Sequence, residues 1–259
     1  YLWGDNPYGG LKFDGINLTD SSPLIQDCVI SDCHRAGIYC ENTGSDPVIN
    51  GNTIVSNNDY GVVIYAGNVN DFGASTNSFA FNGNENRINV MGEDVTEDSV
   101  WPDLGYVYYI DGDINIFGQD GPDSVTTMTV EPGAQLDFTS ESAIYVGTSV
   151  ISKPGALIAE GTETQPILFQ SQNDGADYWG GIIFNETSDD SLCRLTYCEF
   201  SHSGSGSIDT LMCMGSAPVI THTSLSPCGN RAIYCESAAQ PVFDFITISN
   251  TSDDAVYIT

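Results

Sequence analysis

The chain has 259 residues and sets 35 carboxylates against six basic side chains, a net charge of −29. Such a surface repels a duplex or an anionic polysaccharide unless cations intervene, so nucleic acid is excluded as a partner and an anionic membrane surface is disfavoured on the same ground. No apolar run is long enough to span a bilayer. Composition, with 27 glycines, 13 tyrosines, recurring short β-branched runs and no apolar pattern at helical spacing, predicts one all-β unit almost without helix.

In chain order, the first element is an aromatic-glycine coil, Trp3-Gly4 and then Gly10-Leu11-Lys12-Phe13. Two proline coils follow, Pro23-Leu24-Ile25 and Pro47-Val48-Ile49. Each proline has an apolar side chain seven residues on (Ile30, Ile54) and a β-branched one fifteen residues on (Ile38, Val62), the latter preceded by Gly37 or Gly61. In the central zone, Glu131-Pro132-Gly133-Ala134 and Lys153-Pro154-Gly155-Ala156 repeat at nearly the spacing of those prolines, which reads as one coil. A second aromatic coil, Trp179-Gly180-Gly181-Ile182-Ile183-Phe184, leads to Pro218-Val219-Ile220 and Pro241-Val242-Phe243, again one such spacing apart. These carry the same offsets, with Leu225 and Ile248 at seven, Ile233 and Val256 at fifteen, and Ala232 and Ala255 in the glycine position.

A fixed period of about 23 residues marks a solenoid. Division of the chain by that period predicts roughly eleven coils, and strands about 4.8 Å apart would stack into a rod on the order of 50 Å long. Asn50-Gly51-Asn52, Asn57-Asn58-Asp59 and Asn82-Gly83-Asn84 are the expected corners, because these residue types tolerate left-handed backbone. The string Ile-Tyr-Cys-Glu occurs at both Cys40 and Cys235, so the outer zones read as copies of one module. On this reading 1–259 is one continuous solenoid: 1–72 end one copy, 73–176 are central coils, and 177–259 start a second copy. Both ends then look uncapped, and the expectation is head-to-tail continuation with copies of itself or with adjoining coils of a longer chain.

The strings SPLIQDCVISDC (22–33), DPVINGNTIVSNN (46–58), EPGAQLDF (131–138), GALIAEGTETQPILF (155–169) and DYWGGIIF (177–184) resemble the right-handed parallel β-helix proteins of the pectin-lyase-like superfamily. More narrowly, they resemble the repetitive arrays of secreted bacterial surface proteins. The resemblance implies an all-β, right-handed parallel β-helix in an extracellular or cell-surface location. It does not settle function, because this fold hosts lyases, hydrolases, adhesins and structural rods.

Two carboxylates on one face can hydrolyse a glycosidic bond, but Ser-Asp-Asp occurs twice, at Asp189-Asp190 and Asp253-Asp254, as repeated corners do. The Asn-Thr-Asp, Gly-His-Gly and Arg-x-Lys strings that the resemblance would imply for a polygalacturonase do not occur. A lyase reading needs an arginine base beside calcium. Arg35 and Arg231, however, share offsets with Asp59 and Asp254 of the following coils, which predicts structural ladders Arg35–Asp59 and Arg231–Asp254. Calcium, a hard cation, is a candidate ligand for the oxygen-rich set Asp111, Asp113, Asp120 and Asp123, although the spacing fits no complete EF-hand loop and Asp-Gly is also ordinary turn chemistry. Cys33 and Cys40, like Cys228 and Cys235, are seven residues apart, which fits either a repeated disulfide across one turn or stacked free thiols. His34, His202 and His222 lack a metal-binding spacing and read as solvated corners. Tyr39, Tyr234 and Tyr257 share one outward position, suited either to a polysaccharide platform or to sheet stabilisation. The resulting expectation is a non-catalytic structural module of a β-helical rod or filament, with no catalytic residue and no organic cofactor. The alternative is a carbohydrate-active enzyme or carbohydrate-binding module.

Overall fold

The computed structural model describes residues 13–72, 77–84, 87–140, 142–149, 153–172, 177–236 and 238–259. The expected aromatic coil at Trp3-Gly4 and Gly10-Leu11-Lys12 lies outside them. Among the described residues the chain winds as an all-β solenoid of short strands paired in parallel, with one 3-10 turn at Ala66–Asp71.

Left-handed backbone keeps the strands short. It recurs four and nine residues after three of the prolines, at Asp27 (φ 52°), Asp32 (φ 59°), Gly51 (φ 65°), Ser56 (φ 57°), Phe245 (φ 51°) and Asn250 (φ 53°). Gly51 lies within the expected corner Asn50-Gly51-Asn52, whereas the other two turn one residue before the expected asparagine, at Ser56 and Phe81. Asn52, Asn57 and Asn82 point inward and are buried. Asn57 Oδ1 accepts the Cys33 N–H at 3.1 Å, and its Nδ2 donates to Asn82 Oδ1 at 2.9 Å. Asn52 does the same for the Cys28 N–H at 2.9 Å and for Asn77 Oδ1 at 3.1 Å. These two ladders satisfy backbone groups that bends would otherwise leave buried and unpaired.

The proline-coil offsets set the register. Ile25 lies opposite Ile49, Ile30 opposite Ile54 and Ile38 opposite Val62, while Ile220, Leu225 and Ile233 lie opposite Phe243, Ile248 and Val256. Inward aliphatic side chains form the core, joined by a file of near-parallel rings. Phe138 and Trp179 stack at 4.2 Å, and Phe169 and Phe200 at 4.9 Å.

The central coils depart from the period of the proline coils. Register partners Thr126 and Gly155, Gln135 and Leu168, and Ile144 and Ile182 all stand further apart in sequence than successive prolines do. The two Pro-Gly-Ala strings are consequently not stacked: Ala156 lies over Thr127, whereas the Ala134 carbonyl accepts the Leu168 N–H. Among the described residues the tallest stack has ten strands.

That tallest stack joins unlike positions of the two modules. The fifteenth-residue strands Ile38–Cys40 and Val62–Tyr65 continue through Ile88 and Tyr108 to Leu136, Phe169 and Phe200. They end on Leu225 and Ile248, which are seventh-residue positions. The fifteenth-residue strands of the later module, Ile233–Cys235 and Val256–Ile258, belong to a second stack that starts at Glu93–Val95 and Ile114–Ile116. The two stacks meet only in the long strands Ile88–Val95 and Tyr108–Ile116, which turn a corner at Gly92 and Gly112, where the register shifts. Gly112 has φ 113°, and a Cβ on Gly92 would lie 2.5 Å from the Gly112 carbonyl carbon. The modules thus match in sequence but differ in phase around the axis.

Candidate functional site

A cluster of polar side chains lies on the outer face of the tall stack, where one row runs through Val63, Asn89, Tyr109, Asp137 and Gln170. Although Asp137 faces away from the core, its side chain is only 4% exposed. It accepts from Gln135 Nε2 at 3.0 Å and Gln170 Nε2 at 2.9 Å and faces Arg87 at 3.7 Å. Arg87 also lies over the Tyr109 ring at 5.9 Å, and the Tyr60 and Tyr109 rings are 5.6 Å apart. Burial pushes both tyrosine hydroxyls above the usual phenol range. Asp137 is thereby balanced by one cation and takes two amide donors on Oδ1, a carboxylate held in place rather than presented to solvent. Sequence reading misses this cluster. Its members are scattered from 60 to 170 and share no motif, and a lone basic residue among many acids, Arg87, is the one signal that could have pointed to it.

The same combination recurs in both modules. Arg35 pairs with Asp14 at 3.6 Å and lies over Tyr39 at 4.9 Å. Arg231 donates Nε to both Asp209 oxygens at 3.1 Å, pairs through Nη2 at 2.9 Å, and lies over Tyr234 and Tyr257 at 4.9 Å each. These pairs correct the expected ladders. Asp59 does stack on Arg35, as its N–H bonds to the Arg35 carbonyl, but its carboxylate takes the Asn84 amide. Asp254 is exposed. Equal offsets specify which residues are neighbours but not whether a side chain reaches to the coil above or below; here both arginines reach back to a buried aspartate. Tyr234 and Tyr257 stack at 6.0 Å, so their faces cover each other rather than forming an open platform.

The calcium candidates do not converge. Asp111 and Asp113 lie on the strand Tyr108–Ile116, where Asp113 accepts the Ala143 N–H at 2.9 Å. Asp120 accepts the Asp98 N–H at 2.8 Å, and backbone bonds from Asp98 and Gly121 hold its carboxyl below the usual range. Asp123 accepts the Val125 N–H at 3.3 Å. No group of three or more His, Cys, Asp or Glu side chains close enough to share an ion occurs among the described residues. The Ser-Asp-Asp pairs also differ from each other: Asp189 accepts from Ser191 and Leu192 in its own turn, Asp190 from the Ala217 N–H, and Asp253 from Asp254.

All eight cysteines are free thiols, so of the two alternatives for Cys33 with Cys40 and Cys228 with Cys235 the disulfide bridge is absent. Cys33 instead starts the Asn57 ladder, Cys40 lies in register with Leu18, and Cys228 bridges to Ser203 and Thr251. His34 is exposed, while His202 packs against Tyr178 at 5.6 Å and His222 stacks between Tyr197 and Phe245 at 4.6 and 4.7 Å. An open groove of about 380 Å³ lies beside Tyr178, rimmed by Ser140, Ser205, Asn230 and Ser252.

Residues 8–96 match the family model described as right handed beta helix region. No curated protein and no solved structure matches the chain. Together with the parallel stacks that continue the same winding through residue 258, this identifies the chain as a right-handed parallel β-helix, a build consistent with the pectin-lyase-like superfamily.

Proposed function

We propose that this β-helix is a non-catalytic structural module of an extracellular or cell-surface rod or filament, whose partners are further coils of the same kind. One observation carries the reading. The side chains best suited to acid–base or electrostatic chemistry are paired across coils: Arg35 with Asp14 and Arg231 with Asp209 on the neighbouring coil, and Arg87 with Asp137 across the intervening coil of Tyr109. Side chains used in this way brace successive coils, which is what a rod under lateral load requires. Electron microscopy of the native material should show elongated particles of constant width; isolated compact monomers would sink the filament reading.

The groove beside Tyr178 favours a second reading, a carbohydrate-binding or carbohydrate-active module. It offers hydroxyls, an amide and one aromatic ring, the groups that suit sugar hydroxyls and C–H faces. Incubation with neutral and acidic polysaccharides, with and without calcium, separates the two. Unsaturated products or new reducing ends would replace the structural reading with an enzymatic one.

A further inference from the structure

We propose that Cys213 and Cys235 form a redox-responsive pair that closes to a disulfide linking two successive coils. They are direct register partners on the parallel strands Leu211–Cys213 and Ile233–Cys235, and both are buried. Parallel strands lie about 4.8 Å apart, inside the range of roughly 4.4–6.8 Å between Cα atoms that a disulfide spans.

Both side chains point into the core between Phe184 below and Ile258 above, so each sulfur's nearest polar neighbour along the ladder is the other. The thiols hydrogen-bond to one another, which raises the Cys213 thiol and lowers that of Cys235. The other described cysteines with register partners face different residue types: Cys198 lies opposite Ile167, Cys40 opposite Leu18, and Cys228 opposite Ser203 and Thr251.

The oxidant is a low-molecular-weight disulfide such as oxidised glutathione. The thiolate of either cysteine, written here for Cys235, attacks one of its sulfurs, breaking that S–S bond and releasing one glutathione thiolate, which leaves a mixed disulfide on Cys235. Cys213 then gives up its proton, and its sulfur attacks Cys235 Sγ and expels the second glutathione. Two protein thiols are oxidised, one glutathione disulfide is reduced, and both protons end on the released thiols.

The test refolds the full chain from urea in a glutathione redox buffer, quenches with acid, alkylates in denaturant and maps peptides by mass. In the oxidised arm six of the eight thiols should be alkylated and a linked Cys213–Cys235 peptide recovered; with excess reductant all eight should be alkylated. Cys228→Ser should retain the linked peptide, and both Cys213→Ser and Cys235→Ser should abolish it. Eight alkylated thiols in every buffer, or a dominant link between any other pair, such as Cys228–Cys235 or Cys33–Cys40, would overturn the proposal. The wild-type map decides even if a serine variant does not fold.

Discussion

Asn57 ties three coils together: its side chain accepts from Cys33 and donates to the Ile30 carbonyl and to Asn82 Oδ1, which also accepts the Asn57 backbone N–H. Asn57→Ala leaves the Cys33 N–H and the Ile30 carbonyl without that side chain inside the coil, so urea denaturation should show a loss of about 1–3 kcal/mol. Exposed Asn58 should tolerate the same change within about 0.5 kcal/mol. Asp209, whose Oδ1 also accepts the Arg231 N–H at 3.1 Å, should behave like Asn57. Asp209→Ala is expected to cost about 1–3 kcal/mol, whereas Asp254→Ala should change stability by under about 0.5 kcal/mol; the reverse ranking would restore the ladder expected from sequence. Glu93 provides a pH test, because burial raises its carboxyl above the usual range despite a bond from the Gly67 N–H. A raised acid favours the fold below its ordinary range and loses that contribution as pH rises through its folded value. Glu93→Gln should therefore raise the urea midpoint at pH 7, with the gain vanishing towards pH 4.

At the scale of strands and corners, the offsets within a coil were legible because residues two, seven and fifteen places after a proline face the core through local geometry alone. Ile25, Ile30 and Ile38 sit where that pattern places them, over Ile49, Ile54 and Val62. The central zone was not legible, because the Pro-Gly-Ala strings at 131 and 153 mark different corners of the winding, one leading into the strand Gln135–Phe138 and the other into Gly155–Glu160, and only non-local pairing reveals it. Arg87 and Asp137 were invisible for the same reason: they are distant in sequence and meet only through register. The corner at Gly92 and Gly112 is open to direct test. Gly112→Ala should cost about 1–3 kcal/mol through its left-handed backbone. Gly92→Ala should cost more, since its Cβ would overlap the Gly112 carbonyl carbon, and urea midpoints rank the two.

For the whole molecule, charge dominates. With 35 acids, six bases and few ion pairs among the described residues, self-repulsion opposes the compact state. Salt shortens the Debye length to about 8 Å at 0.15 M, so the thermal midpoint should rise between 10 mM and 500 mM sodium chloride. Because the four calcium candidates do not converge, calcium at matched ionic strength should add nothing further; a distinct calcium-dependent rise would point to a site formed in another way. The phase difference between the two modules bears on recognition. Tyr39 with Arg35 stands on the tall stack and Tyr234 with Arg231 on the second, on opposite sides of the glycine corner. A flat partner can therefore touch only one of these twin patches at a time, and a molecule that engages both must wrap around the shaft as a thread follows a screw.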